Sequence, residues 1–134
     1  MTKSPCVETN LALVKDVFYE FEVPFPPSVN GLYRVFKGRT IVSKQCREYK
    51  KTVIAIMEKL GLANQNIDDR LQVYLELHAP TKRKYDLDNR LKVLLDSLQA
   101  SGFIVDDEQV DSLHVKRGVI MSGGKTIVRV EMFL

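Results

Sequence analysis

Residues 71–102 read LQVYLELHAPTKRKYDLDNRLKVLLDSLQASG. Leu71, Val73, Leu75 and Leu77 alternate with Gln72, Tyr74, Glu76 and His78. A period of two marks a strand, and so clean an alternation predicts a sheet with one face on helices and the other more polar. Pro80 ends the strand, because proline cannot donate to a sheet ladder. After the basic run Lys82-Arg83-Lys84, the pattern changes. Leu91, Leu94, Leu95 and Leu98 recur at helical spacing, with Gly102 as the stop and Asp86 or Asp88 as the expected N-cap.

The same reading extends in both directions. Upstream, Phe18 to Val23 alternates, with Tyr19, Phe21 and Val23 facing one way and Glu20 and Glu22 the other. Pro24, Pro26 and Pro27 close that strand. A polar-aromatic loop, PFPPSVNGLYRVFKGR, covers Pro24–Arg39, with a small hairpin placed around Lys37-Gly38 and a short strand at Thr40–Val42. Ser43 then N-caps a helix whose stripe is Cys46, Tyr49, Val53, Ile56, Met57 and Leu60, and Gly61 stops it. Downstream, the loop FIVDDEQ leads to a strand around Val110–Val119. Ser122-Gly123-Gly124 is a turn signal, and Thr126, Val128, Val130 and Met132 alternate, which predicts a C-terminal hairpin. The expected fold is α+β: a single domain, order β-α-β-α-β-β, with a mixed sheet packed against two main helices. Residues 1–16 read as an N-terminal leader, and 17–134 as the domain.

Composition bounds the function. The chain has 134 residues, 45% of them apolar, and a net charge of +3. That suits one globular domain, and it permits a polyanionic partner without demanding one. Cys6 and Cys46 alone make neither a disulfide framework nor a four-ligand zinc site. No apolar run approaches the ~18 residues of a membrane span. The expectation is a soluble, intracellular protein with no membrane partner.

The chemistry concentrates between Lys82 and Lys92. Asp86 and Asp88 are two apart, and in an extended segment residues i and i+2 point to the same side. Two carboxylates so placed repel each other unless one takes up a proton or a cation joins them. Mg²⁺ and Mn²⁺ prefer oxygen ligands, usually one or two carboxylates plus waters and a substrate phosphate. A third acid is available in Asp107 or its neighbour Asp106. Lys82, Arg83, Lys84, Arg90 and Lys92 surround these acids, as a site for a polyanion whose phosphate meets a metal requires. Lys92, one helical turn after Asp88, could stabilise charge on the phosphorus or protonate a leaving oxygen.

Plainer readings exist for each feature. An Asp at a helix start often only caps it, and a lysine beside it often makes a weak surface ion pair. Asp106-Asp107-Glu108 can be an ordinary polar turn. His78 and His114 have no metal-ligand spacing and no assigned role. Gly123-Gly124 lacks the Gly-Lys-Ser/Thr of a phosphate cradle. Phe25, Tyr33 and Phe36, interleaved with Arg34, Lys37 and Arg39, either stack on nucleic acid or bury one another.

Three blocks together resemble the RusA family of Holliday-junction resolvases. They are Pro24-Phe25-Pro26-Pro27-Ser28-Val29-Asn30 with Tyr33-Arg34 and Gly38-Arg39-Thr40; Asp86-Leu87-Asp88-Asn89 with Lys92; and Gly102-Phe103 with Asp106-Asp107. The resemblance runs from about Tyr19 to the last strand. It implies a cytoplasmic, bacterial or phage-encoded homodimer that hydrolyses DNA phosphodiesters at four-way junctions by paired symmetric nicks. It implies Mg²⁺, with Mn²⁺ as a substitute, held by Asp86, Asp88 and Asp107, and a catalytic role for Lys92. Asp106 would be an accessory acid. Asn30, Arg34, Arg39, Lys82, Arg83, Lys84 and Arg90 would grip the junction arms. One departure is Tyr85, where the family's pattern has a basic residue before the first Asp. Two other readings remain open: a non-catalytic branched-DNA-binding dimer, and a metal-dependent phosphoesterase acting on small nucleotides.

Chain geometry sets one question. A helix from about Asn89 to Ser101 is ~20 Å long, and the five steps from Gly102 to Asp107 reach at most ~17 Å. Asp107 can therefore barely regain its own chain's Asp88: either this loop runs straight back along the helix, the preferred outcome, or Asp107 completes a partner subunit's site.

Overall fold

The computed structural model describes residues 18–28, 33–36 and 39–132, and the side chains of 18–28 and 43–132. The leader, Asn30, the Lys37-Gly38 turn and the side chains of Arg34 and Arg39 lie outside those residues. Strand β1 spans Phe18–Val23, and the small antiparallel pair β2 (Tyr33–Phe36) and β3 (Arg39–Val42) follows. Helix α1 spans Lys44–Leu60, β4 Leu71–His78, α2 Leu91–Ala100, β5 Val110–Arg117 and β6 Lys125–Met132. The order is the expected one with the β2–β3 pair inserted before α1, a mixed α+β fold with two helices.

Local sequence explains the elements. The Ser43 side chain accepts a hydrogen bond from the Cys46 N–H at 3.3 Å, satisfying one of the orphan donors of the first turn of α1. Gly61 ends α1 at φ 76°, a conformation that costs only glycine nothing. Of the expected stripe, Cys46, Tyr49, Val53 and Met57 are buried, Ile56 is half-buried, and Leu60, in the last turn, is exposed. Leu71, Val73, Leu75 and Leu77 of β4 are all buried, and they share one core with Val93, Leu94 and Leu98 of α2 and with Phe21, Val128 and Val130. Phe103 is fully buried, with Tyr19 and Phe21 edge-on at 5.3 and 5.4 Å. Such aromatic pairs add about 0.5–1.5 kcal/mol each beyond their buried area.

The strand pairing differs from the expected one. The four-stranded sheet has the order β1-β6-β4-β5, so β5 and β6 do not form a hairpin. Strand β5 runs parallel to β4, as a strand–helix–strand unit requires, and β6 pairs antiparallel with both β4 and β1. The chain between β5 and β6 crosses over the end of β4. There the Gly118 N–H donates to the Leu77 carbonyl at 2.8 Å and the Met121 N–H to the Ala79 carbonyl at 3.0 Å. His78 underlies this crossing rather than sitting on a polar face: it is buried, and Nδ1 lies 2.7 Å from the Val119 carbonyl oxygen.

The start of α2 also differs from expectation. Neither Asp86 nor Asp88 caps it. A 3-10 turn, Asp88–Arg90, precedes the helix, Arg90 occupies the N-cap position, and no side chain caps either start. Leu87 is itself helical, at φ −61° and ψ −46°, so the two aspartates do not sit on an extended segment.

Candidate active site

The loop that leaves β4 carries Lys82, Arg83, Lys84, Asp86 and Asp88, all exposed. Asp86 accepts a 3.3 Å hydrogen bond from the Asn89 side-chain amide. Neither carboxylate is used as a helix cap, and apart from the Asn89 contact to Asp86 both stand exposed to solvent.

This loop is fastened from behind. Arg90 is half-buried, and its Nη1 donates to the Pro26 carbonyl at 2.9 Å. Its guanidinium lies 5.1 Å from the centre of the Phe25 ring and 5.5 Å from that of Tyr85, which meet edge-on at 5.1 Å. Burial lowers the pKa of Arg90 from its ordinary value. Arg90, read from the sequence as part of a DNA grip, is thus placed as the rivet between the proline segment and the aspartate loop. The Tyr49 hydroxyl holds the other end of that segment, donating to the Pro24 carbonyl at 2.7 Å, and burial pushes its pKa up.

Asp107 returns along its own helix as far as Lys92. The segment after α2 is hydrogen-bonded to residues 64–67: Asn64 N–H to the Ser101 carbonyl, Asn66 to Gly102, Ile67 to Phe103, and Val105 back to Ile67. Gly102, at φ 79°, allows the approach, since a Cβ there would lie 2.8 Å from Asn64 Oδ1. A 3-10 turn, Asp107–Gln109, follows, capped by the Asp106 side chain, which accepts from the Glu108 N–H at 3.0 Å. Asp106 is therefore occupied as a cap.

Gln109 locks this turn. It is buried, and its amide makes four hydrogen bonds: it donates to the Ile67 and Asp69 carbonyls at 2.8 and 2.9 Å, and accepts from the Val105 and Asp106 N–H groups at 2.9 and 2.7 Å. From outside, Arg70 holds Glu108 and Asp111.

The result is a second cluster on the α2 face formed by Lys92, Asp96 and Gln99. The Asp107 N–H donates to Gln99 Oε1 at 3.0 Å. The Lys92 amine lies 3.2 Å from an Asp96 oxygen and 3.8 Å from an Asp107 oxygen. Asp107 is half-buried and its pKa is raised, mainly by burial; Lys92 opposes the rise, while Asp106 and Asp96 add to it. The structure thus brings Asp107 to Lys92 within one chain. Among the described residues, no three acidic, histidine or cysteine side chains converge closely enough to hold a metal ion.

The donor chemistry nonetheless suits a hard cation. Mg²⁺ is commonly held by one or two carboxylates and keeps several waters, so a closed protein cage is not required. Asp86 and Asp88 offer oxygen alone, at the surface, beside cations that would meet a substrate phosphate. Sequence reasoning missed Asp96 and Gln109, whose signal is only their helical or turn spacing to Lys92 and Asp107. It also missed Arg117, which stacks on Tyr85 from another strand.

The endodeoxyribonuclease RusA family model matches residues 24–132. A relative from Enterobacteria phage HK97, "Crossover junction endodeoxyribonuclease rusA", is 38% identical over 112 residues, covering 84% of this chain and 92% of that protein. The protein of the same description from Escherichia coli K12 is 35% identical over 107 residues, covering 80% and 88%. That from Enterobacteria phage 82 is 34% identical over the same length.

Proposed function

Because this chain belongs to the endodeoxyribonuclease RusA family, we propose that it is a structure-specific endodeoxyribonuclease that resolves four-way DNA junctions by paired symmetric nicks. The relatives' descriptions supply the substrate class, a crossover junction. The observation in this chain that carries the reading is the exposure of Asp86 and Asp88. Both are exposed and neither caps α2, so the plainer account of the D-x-D-N block, a helix cap, does not apply.

Asp86 and Asp88 would hold Mg²⁺, or Mn²⁺ in its place, with Asp107 as a further acid. The bound ion would supply Lewis acidity toward the phosphodiester and its attacking water. Lys92, whose amine lies between Asp96 and Asp107, would offset charge as the phosphodiester is displaced or protonate the leaving 3′ oxygen. Lys82, Arg83 and Lys84 draw in the phosphate backbone, which makes binding steeply salt-dependent. Arg90 acts through the loop it fastens. Two coordinated cuts require two sites, and a two-fold homodimer supplies them.

The test is incubation with a labelled four-way junction, a linear duplex and a Y-structure, with and without Mg²⁺. Symmetric nicks confined to the junction and dependent on the ion are expected. Binding without cleavage of any branched DNA would favour a non-catalytic binder. Hydrolysis of mononucleotide esters with weak salt dependence would favour a small-molecule phosphoesterase.

A further inference from the structure

The described strands of the four-stranded sheet carry four cations, Lys116, Arg117, Lys125 and Arg129. Three of them are matched by acids: Lys116 by Glu76 at 3.7 Å, Lys125 by Glu22 at 3.2 Å and Arg129 by Glu131 at 3.0 Å. Arg117 is held differently. Its Nη2 donates to the Tyr85 carbonyl at 3.3 Å, and its Cζ lies 4.3 Å from the centre of the Tyr85 ring. These contacts fix the direction of the guanidinium without neutralising it. Among the described residues, no carboxylate stands within ion-pair distance of it.

The platform beneath is firm. The Tyr85 ring meets Phe25 edge-on at 5.1 Å and Arg90 at 5.5 Å, and Arg90 in turn grips the Pro26 carbonyl. Arg117 sits opposite Leu77 in the parallel β4–β5 register, at the end of β4 from which the Lys82–Asp88 loop emerges. Tyr85 is the residue before Asp86. An exposed, oriented and uncompensated guanidinium therefore stands on the residue that precedes the first carboxylate of the loop in sequence.

We propose that Arg117 is a phosphate-binding residue for the DNA strand entering the Asp86–Asp88 site. One edge of the guanidinium serves Tyr85, and the other presents N–H donors in the fork that matches phosphate oxygens. Pre-orientation by the aromatic ring reduces the entropy lost when the phosphate docks. The role deepens the nuclease reading and rests on it.

The experiment measures binding of the full chain to a labelled four-way junction without divalent ion, over a range of KCl concentrations, and nicking with Mg²⁺ separately. Arg117→Gln should weaken binding about tenfold near 0.1 M salt and flatten the slope of log K against log salt by about one. Arg117→Met, which keeps an apolar contact with Tyr85, should do the same. Arg117→Lys should keep the native slope and lose less affinity. Native affinity and slope in the two neutral variants would overturn the proposal. So would equal losses in all three variants with no change of slope, which would mark Arg117 as a prop for the loop. Because binding is read without Mg²⁺, a native protein that binds as described but cuts nothing would count against the nuclease reading and leave the phosphate contact standing.

Discussion

Replacing Gln109 by Leu removes the lock that brings Asp107 back to Lys92. The amide makes four hydrogen bonds, but their loss is not uniform. The Val105 N–H also donates to the Ile67 carbonyl at 3.2 Å, so both of those groups keep a partner. The Asp69 carbonyl and the Asp106 N–H are the groups left stranded. Each buried group without a partner costs about 1–3 kcal/mol. Both belong to exposed residues that water can reach in part, and leucine regains some apolar burial. The net cost is therefore about 2–3 kcal/mol, which lowers Tm by roughly 6–12 °C for a chain of this size. Urea unfolding gives the free energy, and amide exchange at Asp107 and Glu108 shows whether the turn itself has loosened. Nicking should fall by more than stability explains at temperatures where the variant is fully folded. A change below about 0.5 kcal/mol with native exchange at Asp107 would refute the idea that the amide holds this turn.

Three other perturbations have signed outcomes. Asp107 titrates above its ordinary value because it is partly buried and close to Asp96 and Asp106. The folded chain thus binds this proton more tightly than the unfolded chain, so its contribution to stability falls as pH rises through the folded pKa. Asp107→Asn should therefore raise Tm at neutral pH without divalent ion, with the gain vanishing at acid pH; an unchanged or lowered Tm at pH 7 contradicts this. Gly118→Ala would place a Cβ 2.3 Å from His78 Cε1 and 2.6 Å from Nδ1. Such overpacking costs about 1–3 kcal/mol, and denaturant unfolding should show the penalty largely relieved in a His78→Ala background. Ser43→Ala removes the α1 cap and should cost about 1 kcal/mol in urea unfolding.

Most of the helix and strand placement was legible because burial follows short periods. The alternation of Leu71 to Leu77 and the stripe from Cys46 to Met57 name their buried faces directly. The order of strands was less legible. Alternation in β5 and β6 says that each is a strand, not which neighbour it pairs with. The run β4–α2–β5 did carry a signal, since strands joined through a helix usually pair in parallel. The helix cap was misread because aspartate before a leucine stripe has two uses, and only the backbone at Leu87 distinguishes them. At the site, the residue types were legible and their supports were not. Arg90 looks like any cation of a basic patch until Phe25 and Pro26, far away in the chain, close around it. Gln109 reads as one more polar residue in a turn, and its four partners come from segments some 40 residues apart.

The central claim is that the exposed carboxylates Asp86 and Asp88 hold the metal ion with which this chain cuts DNA at junctions. The most direct measurement is cleavage of a labelled four-way junction in Mg²⁺ by the native chain and by Asp86→Asn and Asp88→Asn. The account predicts paired nicks by the native chain, no nicks by either variant, and near-native junction binding by both. Full cleavage by both variants would contradict it.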